Sequence, residues 1–163
     1  PIGTVFLPLM MLSLNPGFAL FGWAKPVPVN PSNLSNRKRD DILISMAGPA
    51  MNVILAIVIL AVLRLAIEMP EGISKSAIVA ELPRIAFISM FLCLFNLIPV
   101  PPLDGSHVMR HVVGMSEETY RNIARFGFII VLVVINIPGV IQFIAEINEK
   151  FMVTAMTLLM FPT

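Results

Sequence analysis

The sequence predicts an all-α membrane protein, a polytopic bundle of transmembrane helices. Of its 163 residues 57% are hydrophobic and only 13% are charged, whereas soluble domains carry about 25% charged residues. The mean hydropathy is +0.89. The few charges lie between long apolar blocks, and a net charge of +1 gives no sign of a basic surface for nucleic acid. We therefore expect the chain to meet a lipid bilayer and no nucleic acid.

Two apolar segments are the clearest candidates for membrane spans, since about 20 apolar residues are needed to cross the hydrocarbon core as helix. Segment 42–67 has Arg64 as its only charge. Segment 85–103 is uncharged and begins with a helical pattern. A proline cluster then breaks it, because proline cannot continue a helix. Its members are Pro99, Pro101 and Pro102.

Two further segments are candidates for irregular spans. Segment 123–147 carries a kink signal at Pro138-Gly139, because proline removes a helical hydrogen bond. Segment 2–23 is interrupted at Asn15-Pro16-Gly17, which predicts a broken span or a re-entrant hairpin. We expect residues 1–163 to form one membrane-embedded unit with these four spans.

The polar connections suggest an orientation. Residues 25–41 alternate prolines with Val and Asn, which favours an extended or edge-strand segment. Such a segment could pair with an extended substrate or simply connect two spans along the membrane surface. If 42–67 and 85–103 both span, connections 25–41 and 105–125 share one side with seven basic residues, against three opposite. The excess predicts that this side is cytoplasmic.

Asp104 is the most informative single residue. It follows the proline cluster at the end of an uncharged run. Because a carboxylate near hydrocarbon is costly, its presence there suggests a functional site. The prolines should impose extended backbone with unpaired carbonyls, which is tolerated at membrane depth only beside protein or water. A water-filled pocket near Asp104 is therefore expected. The alternative is that Asp104 merely caps a short helix over 106–113.

Three segments together resemble one protein family. The string Asn-Leu-Ile-Pro-Val-Pro-Pro-Leu-Asp-Gly at 96–105 closely resembles the Asn-x-x-Pro-x-Pro-x-Leu-Asp-Gly motif of the site-2 proteases. Segments 22–31 (Gly-Trp-Ala-Lys-Pro-Val-Pro-Val-Asn-Pro) and 47–52 (Ala-Gly-Pro-Ala-Met-Asn) resemble two further parts of that family, in the same order. The resemblance implies an intramembrane zinc metalloprotease that cleaves transmembrane segments of protein substrates with zinc-activated water.

The resemblance also assigns roles. It implies that Asp104 is the third ligand of a Zn²⁺ ion, and it associates Asn96 and Asn52 with substrate binding. For either asparagine, the alternative is a hydrogen bond that fixes neighbouring helices. The His-Glu-x-x-His helix that supplies the other two ligands and the catalytic base does not occur in this sequence. We therefore expect a C-terminal part of a longer protein, inactive alone, in a bacterial or archaeal cell membrane.

The only two histidines, His107 and His111, have helical i, i+4 spacing and would share one face with Asp104. A local metal site is therefore conceivable, although Val108 stands where a catalytic Glu would be needed. The other interpretation is that both histidines are solvated or lie at the membrane interface. Two rival functions remain open: a non-catalytic scaffold that keeps the fold, and a transporter that uses Asp104.

Overall fold

The computed structural model describes residues 36–68, 70 and 73–160. This part of the chain is helical, which confirms the predicted all-α class. Its helices, in chain order, are α1 (Arg37–Ile67), α2 (Ile73–Asn96), α3 (Gly105–Val112), α4 (Glu117–Ala124), α5 (Gly127–Ile135) and α6 (Val140–Met160). The predicted irregular span 2–23 and most of the proline-rich connection lie outside the described residues.

Helix α1 begins earlier than the sequence suggested. Residues 37–41 were predicted to be extended, but they form the beginning of this helix, so that prediction is wrong. Asn36 is the N-cap: its side-chain oxygen accepts from the Arg39 amide at 3.2 Å. In return, the Asn36 amide donates to the Asp40 carboxylate at 3.0 Å. This reciprocal capping starts the helix where the pattern of prolines and asparagines had concealed it.

Helices α1 and α2 pack as an antiparallel pair. Their core contains Leu60, Leu63 and Ala86, and the Ser89 hydroxyl donates to the Asn52 carbonyl at 2.9 Å. Both helices are long and apolar enough to cross a membrane, and about three quarters of the residues in each apolar stretch are not buried. An exposed apolar face of that size is typical of a lipid-facing surface.

The second span differs from its predicted bounds. Its apolar stretch is Val79–Asn96, so it begins before residue 85 and ends before the prolines. Residues 97–104 are folded into turns rather than extended: the Val100 amide donates to the Ile98 carbonyl at 2.8 Å, and the Leu103 amide to the Val100 carbonyl at 2.9 Å. Four of the five non-proline amides in 97–104 thus find backbone partners, in the loop or at the end of α2, which the prolines alone did not reveal.

The predicted third span, 123–147, consists of parts of three helices. Helix α4 ends at Ala124, and α5 and α6 are bent by 75° at their break. The break includes Pro138 and Gly139, whose φ of +92° suits a residue without a β-carbon. The kink signal is confirmed, but a single straight span is not. Helix α6 then packs on the α1–α2 pair through Met152.

Candidate metal centre at Asp104

Asp104 lies at the junction of the proline loop and α3. Its backbone is already helical (φ −60°, ψ −36°), and its side chain makes no capping hydrogen bond. The short helix that the alternative interpretation expects after Asp104 is present, over Gly105–Val112. The Asp104 carboxylate does not serve it as a cap.

Two glycines hold the backbone of this loop. A β-carbon on the buried Gly105 would overlap the Leu97 carbonyl and lie 2.8 Å from the Ile98 carbonyl oxygen. A β-carbon on Gly127, at the start of α5, would lie 2.9 Å from the Pro101 carbonyl oxygen. The loop thus folds back on α3 and is covered by α5. Its path is determined by backbone packing.

The carboxylate of Asp104 faces α1. A β-carbon on Gly48 would lie 3.1 Å from Asp104 Oδ2. Gly48, which belongs to the Ala-Gly-Pro-Ala-Met-Asn segment, therefore leaves room on α1 for this carboxylate. Partial burial raises the pKa of the Asp104 carboxyl, while the nearby His107 lowers it. The Asp104 carboxylate is therefore partly buried and has the polar His107 side chain as a neighbour.

His107 and His111 bind a residue that the sequence analysis did not single out. Asp41, in the second turn of α1, lies with its carboxylate oxygens 3.2 and 3.3 Å from His107 Nδ1. Its Oδ2 lies 2.7 Å from His111 Nε2. The rings of both histidines are therefore hydrogen-bonded rather than fully solvated, and their location at the membrane interface stays a prediction. Asp41 was missed because its segment was interpreted as extended, which gives no reason to bring it near α3.

A local metal site of Asp104, His107 and His111 finds no support in this geometry. One nitrogen of each imidazole is directed at Asp41 rather than at Asp104. Among the residues that the structure describes, no group of three His, Cys, Asp or Glu side chains is placed to hold a metal ion. Asp104 can therefore provide one ligand, and a zinc site needs two more protein ligands from elsewhere.

The two predicted substrate-binding asparagines lie on the facing helices of the α1–α2 pair. Both are partly buried. Asn52 meets α2 through its backbone carbonyl, which accepts from Ser89. Asn96 is the last residue of α2 and lies two turns beyond Ser89, on about the same face. Within the described part of the chain, no interhelical hydrogen bond joins either amide side chain.

A buried polar network ties α3 to α4. The Ser106 hydroxyl donates to the Leu103 carbonyl at 2.6 Å, so it accepts from the Tyr120 hydroxyl at 2.8 Å. The Arg110 guanidinium lies 5.3 Å from the centre of the Tyr120 ring, within the range of a cation–π contact. This network holds α3, the helix that follows Asp104, against α4.

The fit of zinc to Asp104 rests on the carboxylate itself. Asp104 is an anionic oxygen donor held by packing against Gly48, and its side chain makes no helix-capping bond. Catalytic zinc accepts Asp as one of three protein ligands and keeps a position for water. The chemistry of the residue fits the ion, and Asp104 could serve as one ligand of the set.

Comparisons with known proteins agree with the motifs. Residues 65–135 match the profile of Peptidase family M50, a range that includes Asn96 and Asp104. A Bacillus subtilis (strain 168) protein named "Putative zinc metalloprotease YwhC" is 35% identical over 122 residues, 72% of this chain and 56% of the relative. No solved structure matches.

Two mycobacterial relatives both carry the name "Putative zinc metalloprotease Rip2". The protein of Mycolicibacterium smegmatis is 28% identical over 116 residues, 69% of this chain and 42% of the relative. That of Mycobacterium tuberculosis (strain H37Rv) is 29% identical over 141 residues, 85% of this chain and 50% of the relative. The chain thus spans about half the length of the curated relatives it matches. With the matched profile, the zinc metalloprotease relatives and the helices suited to a membrane, the chain belongs to peptidase family M50, the site-2 proteases.

Proposed function

We propose that this chain is part of an intramembrane zinc metalloprotease that cleaves transmembrane segments of membrane proteins, in regulated intramembrane proteolysis. Asp104 is one zinc ligand. The two histidine ligands and the catalytic Glu come from a His-Glu-x-x-His segment, a string that this sequence does not contain. The single observation that carries the proposal is the Asp104 carboxylate, held against Gly48 at the end of the loop that follows the apolar helix α2.

The residues of this chain bind and orient. Zinc, when bound, supplies an activated water and polarises the scissile carbonyl. Asp104 provides an anionic ligand whose backbone is fixed by the packing of Gly105 and Gly127. Asn96 and Asn52 bind the backbone of an unwound substrate, since a primary amide both donates and accepts hydrogen bonds. General base chemistry is the task of the Glu outside this chain.

The proposed location is a bacterial or archaeal cell membrane that the chain crosses several times, with the metal site toward the cytoplasm. The contact between Asp41 and His111 supports this topology, because it brings the start of α1 and helix α3 to the same end of the helix pair. The basic residues of both connections then lie at that end, as the positive-inside rule expects.

Zinc content and cleavage of the complete protease test the function. Asp104→Asn keeps the size of the side chain but removes the anionic ligand, so stoichiometric zinc and cleavage of a transmembrane reporter should both be lost. Asp40→Asn, which alters a carboxylate at the start of α1 and away from Asp104, should keep both. A folded Asp104→Asn protein with normal zinc content and cleavage would overturn the proposal.

A further inference from the structure

We propose that Asp41 is a positioning residue of the metal site: its carboxylate binds both histidines of α3 and thereby holds Asp104 against α1. This inference rests on the proposed role of Asp104 as a zinc ligand. Asp41 itself is not a ligand in this scheme. It acts on the site through the helix that begins directly after Asp104.

The first step is the fit between Asp41 and α3. His107 and His111 are one helical turn apart on the same face, and both face α1. An ionised carboxylate only accepts hydrogen bonds. Each imidazole therefore donates to it, His107 from Nδ1 at 3.2 Å and His111 from Nε2 at 2.7 Å. One carboxylate thus binds two successive turns of α3.

The second step is burial, which separates this contact from an ordinary surface ion pair. The side chains of Asp41 and His111 are only 27% and 15% exposed. Hydrogen bonds to an ionised group are shorter and stronger than neutral ones, and partial burial reduces their screening by solvent. The backbone of Asp41 makes a further hydrogen bond, since its carbonyl accepts from the buried Ser45 hydroxyl at 2.6 Å.

The third step is register. Asp41 and Gly48 are seven residues apart, so they lie on nearly the same face of α1 and about 10.5 Å apart along its axis. Asp41 binds α3, and Gly48 contacts Asp104. Asp104 is the residue immediately before α3. Loss of the Asp41 contact would therefore let the beginning of α3 move away from α1 and carry the Asp104 carboxylate with it.

The test compares Asp41→Ala with Asp40→Asn in the complete protease. Zinc affinity is measured by competition with a chelator, and hydrogen exchange follows the α3 amides without reference to activity. For Asp41→Ala we expect zinc affinity to fall about 10–100-fold, as is typical for residues that orient a ligand, with faster exchange over 105–112. Asp40→Asn should match the wild type in both, since its side-chain oxygen can still accept from the Asn36 amide at the start of α1.

Two more variants separate positioning from general stability. Asp41→Asn keeps a hydrogen-bonding group of the same size, so it should restore part of the zinc affinity lost in Asp41→Ala. In a double-mutant cycle, Asp41→Ala combined with His111→Ala should be no worse than Asp41→Ala alone, because both remove the same contact. If Asp41→Ala fails to insert, Asp41→Asn and His111→Ala carry the same comparison.

The outcomes distinguish this inference from the function on which it rests. Full zinc retention in Asp104→Asn would overturn the function. Loss of zinc in Asp104→Asn, together with wild-type zinc affinity in folded Asp41→Ala, would overturn the inference alone. Additive losses in the double variant, or no rescue by Asp41→Asn, would also count against positioning through the histidines.

Discussion

The carboxylate of Asp104 lies directly against the backbone of Gly48: a β-carbon at Gly48 would come within 3.1 Å of Asp104 Oδ2. Two motif residues that are 56 positions apart in the sequence therefore form one contact. The glycine of the first motif leaves the space that the aspartate of the second occupies.

Gly48→Ala should weaken zinc binding without weakening the fold. The new methyl group would displace the Asp104 carboxylate by a few tenths of an ångström, while alanine favours a helix over glycine by about 1 kcal/mol. We expect reduced zinc affinity in chelator competition and a thermal midpoint equal to or above that of the wild type. Normal zinc affinity would show that the carboxylate relaxes freely.

Gly105→Ala should damage the loop far more than Gly114→Ala does. At Gly105 the added carbon overlaps the backbone of Leu97 and approaches that of Ile98, and backbone atoms cannot move aside as a flexible side chain can. Gly114 has open space but a φ of +67°, so alanine there costs about 1–2 kcal/mol of strain. Thermal unfolding in detergent should rank Gly105→Ala as the more destabilised variant. The reverse order would contradict the packing of the loop on α3.

Asn148 should tolerate leucine better than alanine. It is fully buried; its Nδ2 donates to the Phe87 carbonyl at 2.9 Å, and its Oδ1 has no partner among the described residues. Such a hydrogen bond contributes about 0.6 kcal/mol within a membrane, whereas alanine would leave a cavity that costs about 2 kcal/mol. Equal destabilisation by both variants would show that the hydrogen bond outweighs the packing.

Cysteine labelling should place the two ends of the α1–α2 pair on opposite sides of the membrane. In a Cys93→Ala background, which removes the only cysteine, Lys38→Cys and Glu118→Cys should react from the cytoplasmic side. Glu68→Cys should react from the other side. All three positions are exposed. Reaction of Lys38→Cys and Glu68→Cys from the same side would mean that α1 does not span.

The sequence was sufficient for the helices whose limits depend on hydrophobic composition and on helix-breaking prolines. Segment 42–67 is nearly the whole of α1, and the proline cluster begins just after Asn96, where α2 ends. It was insufficient where a local interaction overrode the pattern. The capping of Asn36 with Asp40 began α1 five residues before the predicted span, and the turns at 97–104 satisfied amides that an extended chain would have exposed.

The site was predictable only as far as motifs reach. Asp104 was predicted as a zinc ligand from its motif, whereas its place beside Gly48 became visible only in the folded chain. The bond between Asp41 and His111 joins residues 70 positions apart, and neither lies in a recognised motif. No periodicity or propensity relates the two residues, so this contact emerged only from the packing of α3 on α1.

The packing of α6 has a consequence for the perimeter of the bundle. Asn148 lies beside Phe87, so Glu146, Glu149 and Lys150, which are exposed on other faces of α6, lie near the middle of the apolar stretch of α2. A charged side chain at mid-bilayer costs about 2.5–3.5 kcal/mol on insertion scales. At that cost, acyl chains are unfavourable neighbours for this strip. We therefore expect water or polypeptide, rather than lipid, to cover this part of α6.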